Sequence, residues 1–158
     1  MIDWKDPKSK VTDNFTVREC LLLPSWNVLH IPNEAEKVGL IKICELLEKV
    51  RFFVSDKLKK NCPITITCMI RPKSVNAPGH AGHGKDYNKF VKGASRSAHI
   101  GGQAVDFYIK DVDCDRLRKL LVSKLEEWQC RMESLHGAGW VHMDLYPPTD
   151  GRRYFKPL

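Results

Sequence analysis

Two stretches hold the side chains most able to do chemistry together. In "SRSAHIGGQAVDFYIKD", His99 and Asp106 stand seven positions apart across Gly101 and Gly102, and in "GWVHMDL" His142 precedes Asp144 by two. Side chains alternate faces along a strand, so His142 and Asp144 share one face, and Asp106 reads as an inward polar residue of its own strand. If those strands are neighbours, His99, Asp106 and His142 can meet at one point. Two imidazoles and a carboxylate are a common set for catalytic zinc, with a fourth position left for water. A plainer reading stands beside this: a single histidine is more often a surface or hydrogen-bonded residue than a ligand, and spacing alone leaves both open. His80 and His83, in "GHAGH", form another pair, but they sit in a glycine loop without a third partner, which argues against a ligand role.

The elements that must position these residues follow from periodicity. Asn33, three positions before Glu36 and just after Pro32, starts a capping box. Leu40, Ile43, Leu47, Val50, Val54 and Leu58 then recur at threes and fours, the buried stripe of a helix of about 26 residues. "ITITCMI" alternates and is β-branched, a strand ending at Arg71-Pro72. The span 72–93 is rich in glycine and proline and reads as a long loop, with one helical turn at "KDYNKFV". "QAVDFYI" is a strand, and Asp113 caps a second helix, "CDRLRKLLVSKLEEWQCRM", with a stripe of Leu117, Leu120, Leu121, Leu125 and Trp128. "HGAG" turns into the last strand, "WVHMDL", before a Pro-Pro tail. Strands at 64–70, 103–109 and 140–145 form a small antiparallel sheet with helices on one face, an α+β arrangement. The chain is expected to be one domain, 1–158, with its core over about 14–145.

Composition narrows the partners. A net charge of +7 over 158 residues points to an anionic partner: nucleic acid, a membrane surface or an acidic wall polymer. The basic residues are scattered and not interleaved with aromatics, which argues against nucleic acid. No apolar run is long enough to span a membrane, and "MIDWKDPKSKVTDNF" lacks the apolar core of a signal peptide, so synthesis in the cytoplasm is expected. The six cysteines include no CxxC pair, and free, mostly buried thiols are expected. Trp4, Trp26 and Trp128 read as packing residues.

The motifs also carry a family resemblance. "SAHIGGQAVDF" fits Ser-x-His-x-x-Gly-x-Ala-x-Asp, and "GWVHMD" fits an aromatic-x-His-x-Asp closing element; both resemble the zinc D-alanyl-D-alanine carboxypeptidase and L-alanyl-D-glutamate endopeptidase family, with its hedgehog/DD-peptidase fold. "NFTVRE", Arg71, Asn76 and "YNKFVKGASRSAH" are similar to further family elements, so the likeness runs, with gaps, from about residue 14 to 145.

The resemblance implies one zinc ion per chain held by His99, Asp106 and His142. It implies an Arg71 that binds a substrate carboxylate or carbonyl, a Ser97 that holds substrate or orients a ligand, an Asp144 that orients a histidine or the attacking water, and a Trp140 lining the cleft. Several members carry Glu or Asp three positions before the last histidine, where this chain has Gly139. His136 is then the first candidate for general base, with Glu133 weaker because the second helix would hold it in solvent. The expected activity is hydrolysis of peptidoglycan peptide stems or cross-links by a monomeric phage-type lysis enzyme acting on the cell wall. The missing acidic residue leaves a second expectation, a zinc-containing binding module of the same fold without catalysis.

Overall fold

A computed structural model of the chain describes residues 1–148 and 150–156, so Thr149, Pro157 and Leu158 of the expected domain lie outside the described residues. The longest helix, α2 (Glu34–Leu58), opens with a reciprocal cap. The Asn33 side chain accepts from the Glu36 amide at 2.9 Å, and the Glu36 carboxylate accepts from the Asn33 amide at 2.8 Å. Glu36 also meets the ring of buried His30 at 3.0 Å, and His30 Nδ1 accepts from the Asn76 amide, which ties the start of the helix to the long loop. Leu40, Ile43, Leu47, Val50 and Val54 are buried as their spacing predicts, and Leu58 is partly buried against the same cluster. Each such aliphatic side chain contributes roughly 1.5–3 kcal/mol of burial.

Among the described residues the sheet has five strands: β3 (Ile64–Cys68), β4 (Ala104–Ile109), β5 (Arg131–Glu133), β6 (Val141–Asp144) and β7 (Tyr154–Phe155), in the order β3-β4-β6-β5-β7. All neighbours are antiparallel except β5 and β7, which run parallel. Val105, Phe107, Met132, Val141 and Met143 are fully buried on one side, while Asp106, Arg131, His142 and Asp144 fall on the alternate positions. A separate ribbon, β1 (Leu22–Leu23) with β2 (Val28–Leu29), follows the short helix α1 (Val17–Leu21), itself capped by Thr16 and Glu19. The expected helical turn in the loop is α3 (Tyr87–Phe90).

The second helix is shorter than its apolar pattern predicts. Asp113 caps α4 (Cys114–Leu121) as expected, but the chain then tightens into a 3-10 turn, Val122–Lys124, and reverses at Gln129 in a left-handed conformation, φ 53°. Leu125 and Cys130 remain buried in these looser turns, so the same spacing is satisfied without a continuous helix. The reversal delivers Arg131–Glu133 to the sheet beside β6, with Met132 opposite Met143. The tail likewise contributes a strand, β7.

All six cysteines are free thiols; five are buried and Cys68 is half-buried. Among the described residues no helix is long and apolar enough to cross a membrane.

Candidate metal centre

Asp106 of β4 lies directly opposite His142 of β6. His99 reaches the same point from a 3-10 turn, Ala98–Gly101, whose start is capped by Ser97: its hydroxyl accepts from the His99 amide at 3.4 Å. The Arg71 amide donates to the His99 carbonyl at 2.9 Å and docks the turn beside the end of β3. The chain leaves the turn through Gly102, φ 66°, where a side chain would also press on Leu40 of α2.

The three residues form a triangle of donor atoms. His99 Nε2 lies 3.3 Å from Asp106 Oδ1 and 3.3 Å from His142 Nδ1, and His142 Nδ1 lies 2.7 Å from Asp106 Oδ1. Ligands 2.0–2.1 Å from a tetrahedral zinc are separated by about 3.3 Å. Two edges of the triangle have that length, and the third is a hydrogen-bond length.

The outer contacts set each ring for ligation. His99 Nδ1 is 3.0 Å from the Met69 carbonyl, which can only accept, so in the neutral ring the hydrogen sits on Nδ1 and the Nε2 lone pair faces the triangle. His142 Nε2 stands 3.5 Å from Asp144 Oδ2, an acceptor on that side that leaves Nδ1 for the centre. Asp144 is fixed in turn by a fork from Arg131, Nε to Oδ1 at 2.8 Å and a terminal nitrogen to Oδ2 at 3.0 Å, and by the Tyr146 amide at 2.9 Å. The Arg131 guanidinium lies over the Phe155 ring at 4.6 Å, so β7 helps hold this chain of contacts.

Burial and charge oppose each other at every group. Burial pushes Asp106 up, but hydrogen bonds and charge from His142 and His99 outweigh it and hold the carboxyl well below its ordinary range. Burial lowers His142, yet Asp106 and Asp144 bring it up to about 9. His99 is raised on the same balance, with Asp106 and Cys68 overcoming burial. These are the signatures of a tightly coupled cluster of opposite charges. His99 is 1% exposed, whereas the Arg71 side chain beside Asp106 is 23% exposed.

Arg71 is no free strand-end charge: it pairs with Asp106 Oδ2 and donates from Nε to Cys68 Sγ at 3.2 Å. Cys68 was not singled out by the sequence, yet its sulfur, a nitrogen of His99 and a carboxylate oxygen of Asp106 all lie within 4.8 Å of one another. Burial pushes the Cys68 thiol up, and His99 and Arg71 outweigh it, leaving the thiol below its ordinary value.

The remaining expected residues are less closely involved. His136 lies in the β5–β6 connection with an 84% exposed side chain, and Nδ1 meets Asp115 Oδ2 at 2.9 Å. The bond from His136 and another from Arg118 hold Asp115 low, at about 2. No hydrogen bond among the described residues joins His136 to the triangle. Trp140 is 43% exposed, and its carbonyl accepts from Arg118 at 2.6 Å. Glu133, expected on a solvated helix, is instead the last residue of β5. It shares the face of Arg131, and its charge raises His142. His80 and His83 accept from the Gly82 and Ala77 amides and brace their loop.

No family model matches the chain, and no curated protein or solved structure does.

Proposed function

We propose that the protein is a zinc peptidase that hydrolyses a peptide bond in the stems or cross-links of bacterial peptidoglycan, in the manner of a phage lysis enzyme. The observation that carries this reading is the convergence of His99 Nε2, Asp106 Oδ1 and His142 Nδ1 on one another, with the other nitrogen of each ring turned outward to the Met69 carbonyl or the Asp144 carboxylate. A zinc ion held there supplies a Lewis acid that polarises the scissile carbonyl and a means of lowering the pKa of water. Arg71, partly exposed beside Asp106, has donors left over for a substrate carboxylate or carbonyl oxygen. Asp144, gripped by Arg131, orients His142, and Ser97 holds the His99 turn. Glu133, on the strand beside His142, is better placed than His136 to take a proton from the attacking water. The resemblance of "SAHIGGQAVDF" and "GWVHMD" to the peptidoglycan peptidase family supplies the substrate class, and the net charge of +7 suits an anionic wall.

One feature favours a binding module of the same fold instead: Gly139 stands where several family members carry an acidic residue. Incubating zinc-loaded protein with purified peptidoglycan and identifying new amino or carboxyl termini by mass spectrometry separates the two. New termini are expected; none, with zinc bound stoichiometrically, leaves the binding module. The variant His142→Ala is expected to lose both zinc and hydrolysis, and retention of stoichiometric zinc would contradict the ligand set.

A further inference from the structure

Strand β3 departs from alternation at the centre. Ile64 pairs with Ile109 and Ile66 with Phe107, both on the core side, and strict alternation would turn Cys68 the same way. The register instead shifts between Ile66 and Cys68, which sets Cys68 opposite Asp106 on the face of the ligands. Bulges of this kind re-aim side chains, and they are common beside active sites. Through this shift the Cys68 sulfur joins the donor atoms of His99 and Asp106 within 4.8 Å. In a tetrahedral shell a sulfur at about 2.3 Å and a nitrogen at about 2.05 Å stand roughly 3.6 Å apart, so the Cys68, His99 and Asp106 donors, within 4.8 Å of one another, need to close in on an ion, and His142, outside that group, joins them through its contacts to His99 and Asp106.

We propose that Cys68 is a fourth protein ligand of the centre, a thiolate donor that makes the site selective for a thiophilic divalent ion such as zinc. The inference rests on the metal centre proposed above. On coordination the thiol proton passes to solvent, and the Arg71 guanidinium, already donating to the sulfur, offsets the added negative charge. The complete shell is one sulfur, two imidazole nitrogens and one carboxylate oxygen. Sulfur favours zinc over magnesium, calcium or manganese, which prefer oxygen. A four-ligand shell also fills the tetrahedron, so the thiolate and the attacking water compete for one position, and the resting centre is closed. The remaining five cysteines are buried elsewhere; Cys20 and Cys44, for example, face each other at 3.4 Å in the core.

Cobalt(II) titrated into the metal-free full-length protein tests this by absorption spectroscopy. The wild type is expected to bind one cobalt with a thiolate-to-metal charge-transfer band in the near ultraviolet. Cys68→Ser should bind cobalt without that band, and in chelator competition should hold zinc at least about 10-fold more weakly, the lower bound for losing even an outer-shell partner. X-ray absorption of the zinc-loaded wild type gives the same answer without a variant: one sulfur at about 2.3 Å is expected. Stoichiometric metal in a shell of nitrogen and oxygen alone, or a charge-transfer band that persists in Cys68→Ser, overturns the proposal and leaves the His-Asp centre standing. Failure of the wild type to bind either metal sinks the centre and this inference together.

Discussion

The proton that the proposed amide hydrolysis must move has two candidate carriers, and a pair of substitutions separates them. Glu133 lies on the ligand face of β5, whereas His136 is solvated and already engaged by Asp115. Glu133→Gln is expected to lower kcat on peptidoglycan fragments by about 10²–10⁴, the usual range for general-base catalysis, with zinc content unchanged. His136→Ala should change kcat by less than tenfold, and the opposite order of effects would return the role to His136. The helical pattern of residues 114–132 concealed Glu133, because Leu117, Leu121 and Leu125 are buried whether the chain ends its helix at Leu121 or continues. Arg131, the partner of Asp144, was hidden for the same reason.

Helix α2 and the turn carrying His99 are pressed together at Gly39. A Cβ there would stand 2.7 Å from the Gly101 carbonyl oxygen and 2.9 Å from that of Gly102, both backbone atoms that cannot simply swing aside. Gly39→Ala, which would stabilise an unconstrained helix, is therefore expected to cost roughly 1–3 kcal/mol in denaturant unfolding. It should also weaken zinc binding in the same chelator competition, because the displaced turn carries His99, a proposed ligand. A gain in stability would show that the contact is soft. Helix α2 is constrained at its start as well, through its cap. Burial raises Glu36, but its bonds to His30 and to the Asn33 amide hold it below its ordinary value of 4.5. A carboxyl lowered by folding stabilises fully above its unfolded value, and that contribution is lost as pH falls through the folded one. Wild-type unfolding free energy should thus drop as pH falls below about 4.5, and Glu36→Gln should show a shallower drop. Equal slopes for the two proteins would contradict this.

For the molecule as a whole, the proposed centre predicts that metal and fold are linked by mass action. The proposed ligands come from β4, β6 and the Ala98–Gly101 turn, which meet only in the folded chain. Free zinc at 100 times its Kd should add about 2.7 kcal/mol of stability, which for a chain of this length is about 5–10 °C in Tm. Chelator should reverse the shift and His142→Ala abolish it; a Tm indifferent to zinc would contradict a folded-state site. Two surface grooves share Lys49 and Trp128 and are lined also by Lys42, Phe52, Phe53 and Lys124, and no ligand residue borders either.

The residues themselves determined a good deal. The 3.6-residue spacing of Leu40 to Val54 specified α2 and its buried face, and alternation in "QAVDFYI" and "WVHMDL" specified which strand positions are polar and share a face. With His99 in the preceding turn, that pattern left a metal triangle of His99, Asp106 and His142 open beside a plainer reading, and the family resemblance made it the expected ligand set. Pairing decided the rest. Whether Asp106 meets His142 depends on β4 and β6 being neighbours in one register. Glu133 and Arg131 reach the ligand face only because the chain reverses at Gln129. Cys68 does so only because β3 slips by one residue against β4. A period of two carries no mark of such a slip, since the shift is imposed by the partner strand, and one residue of register is the difference between a thiol in the core and a thiol beside His99 and Asp106.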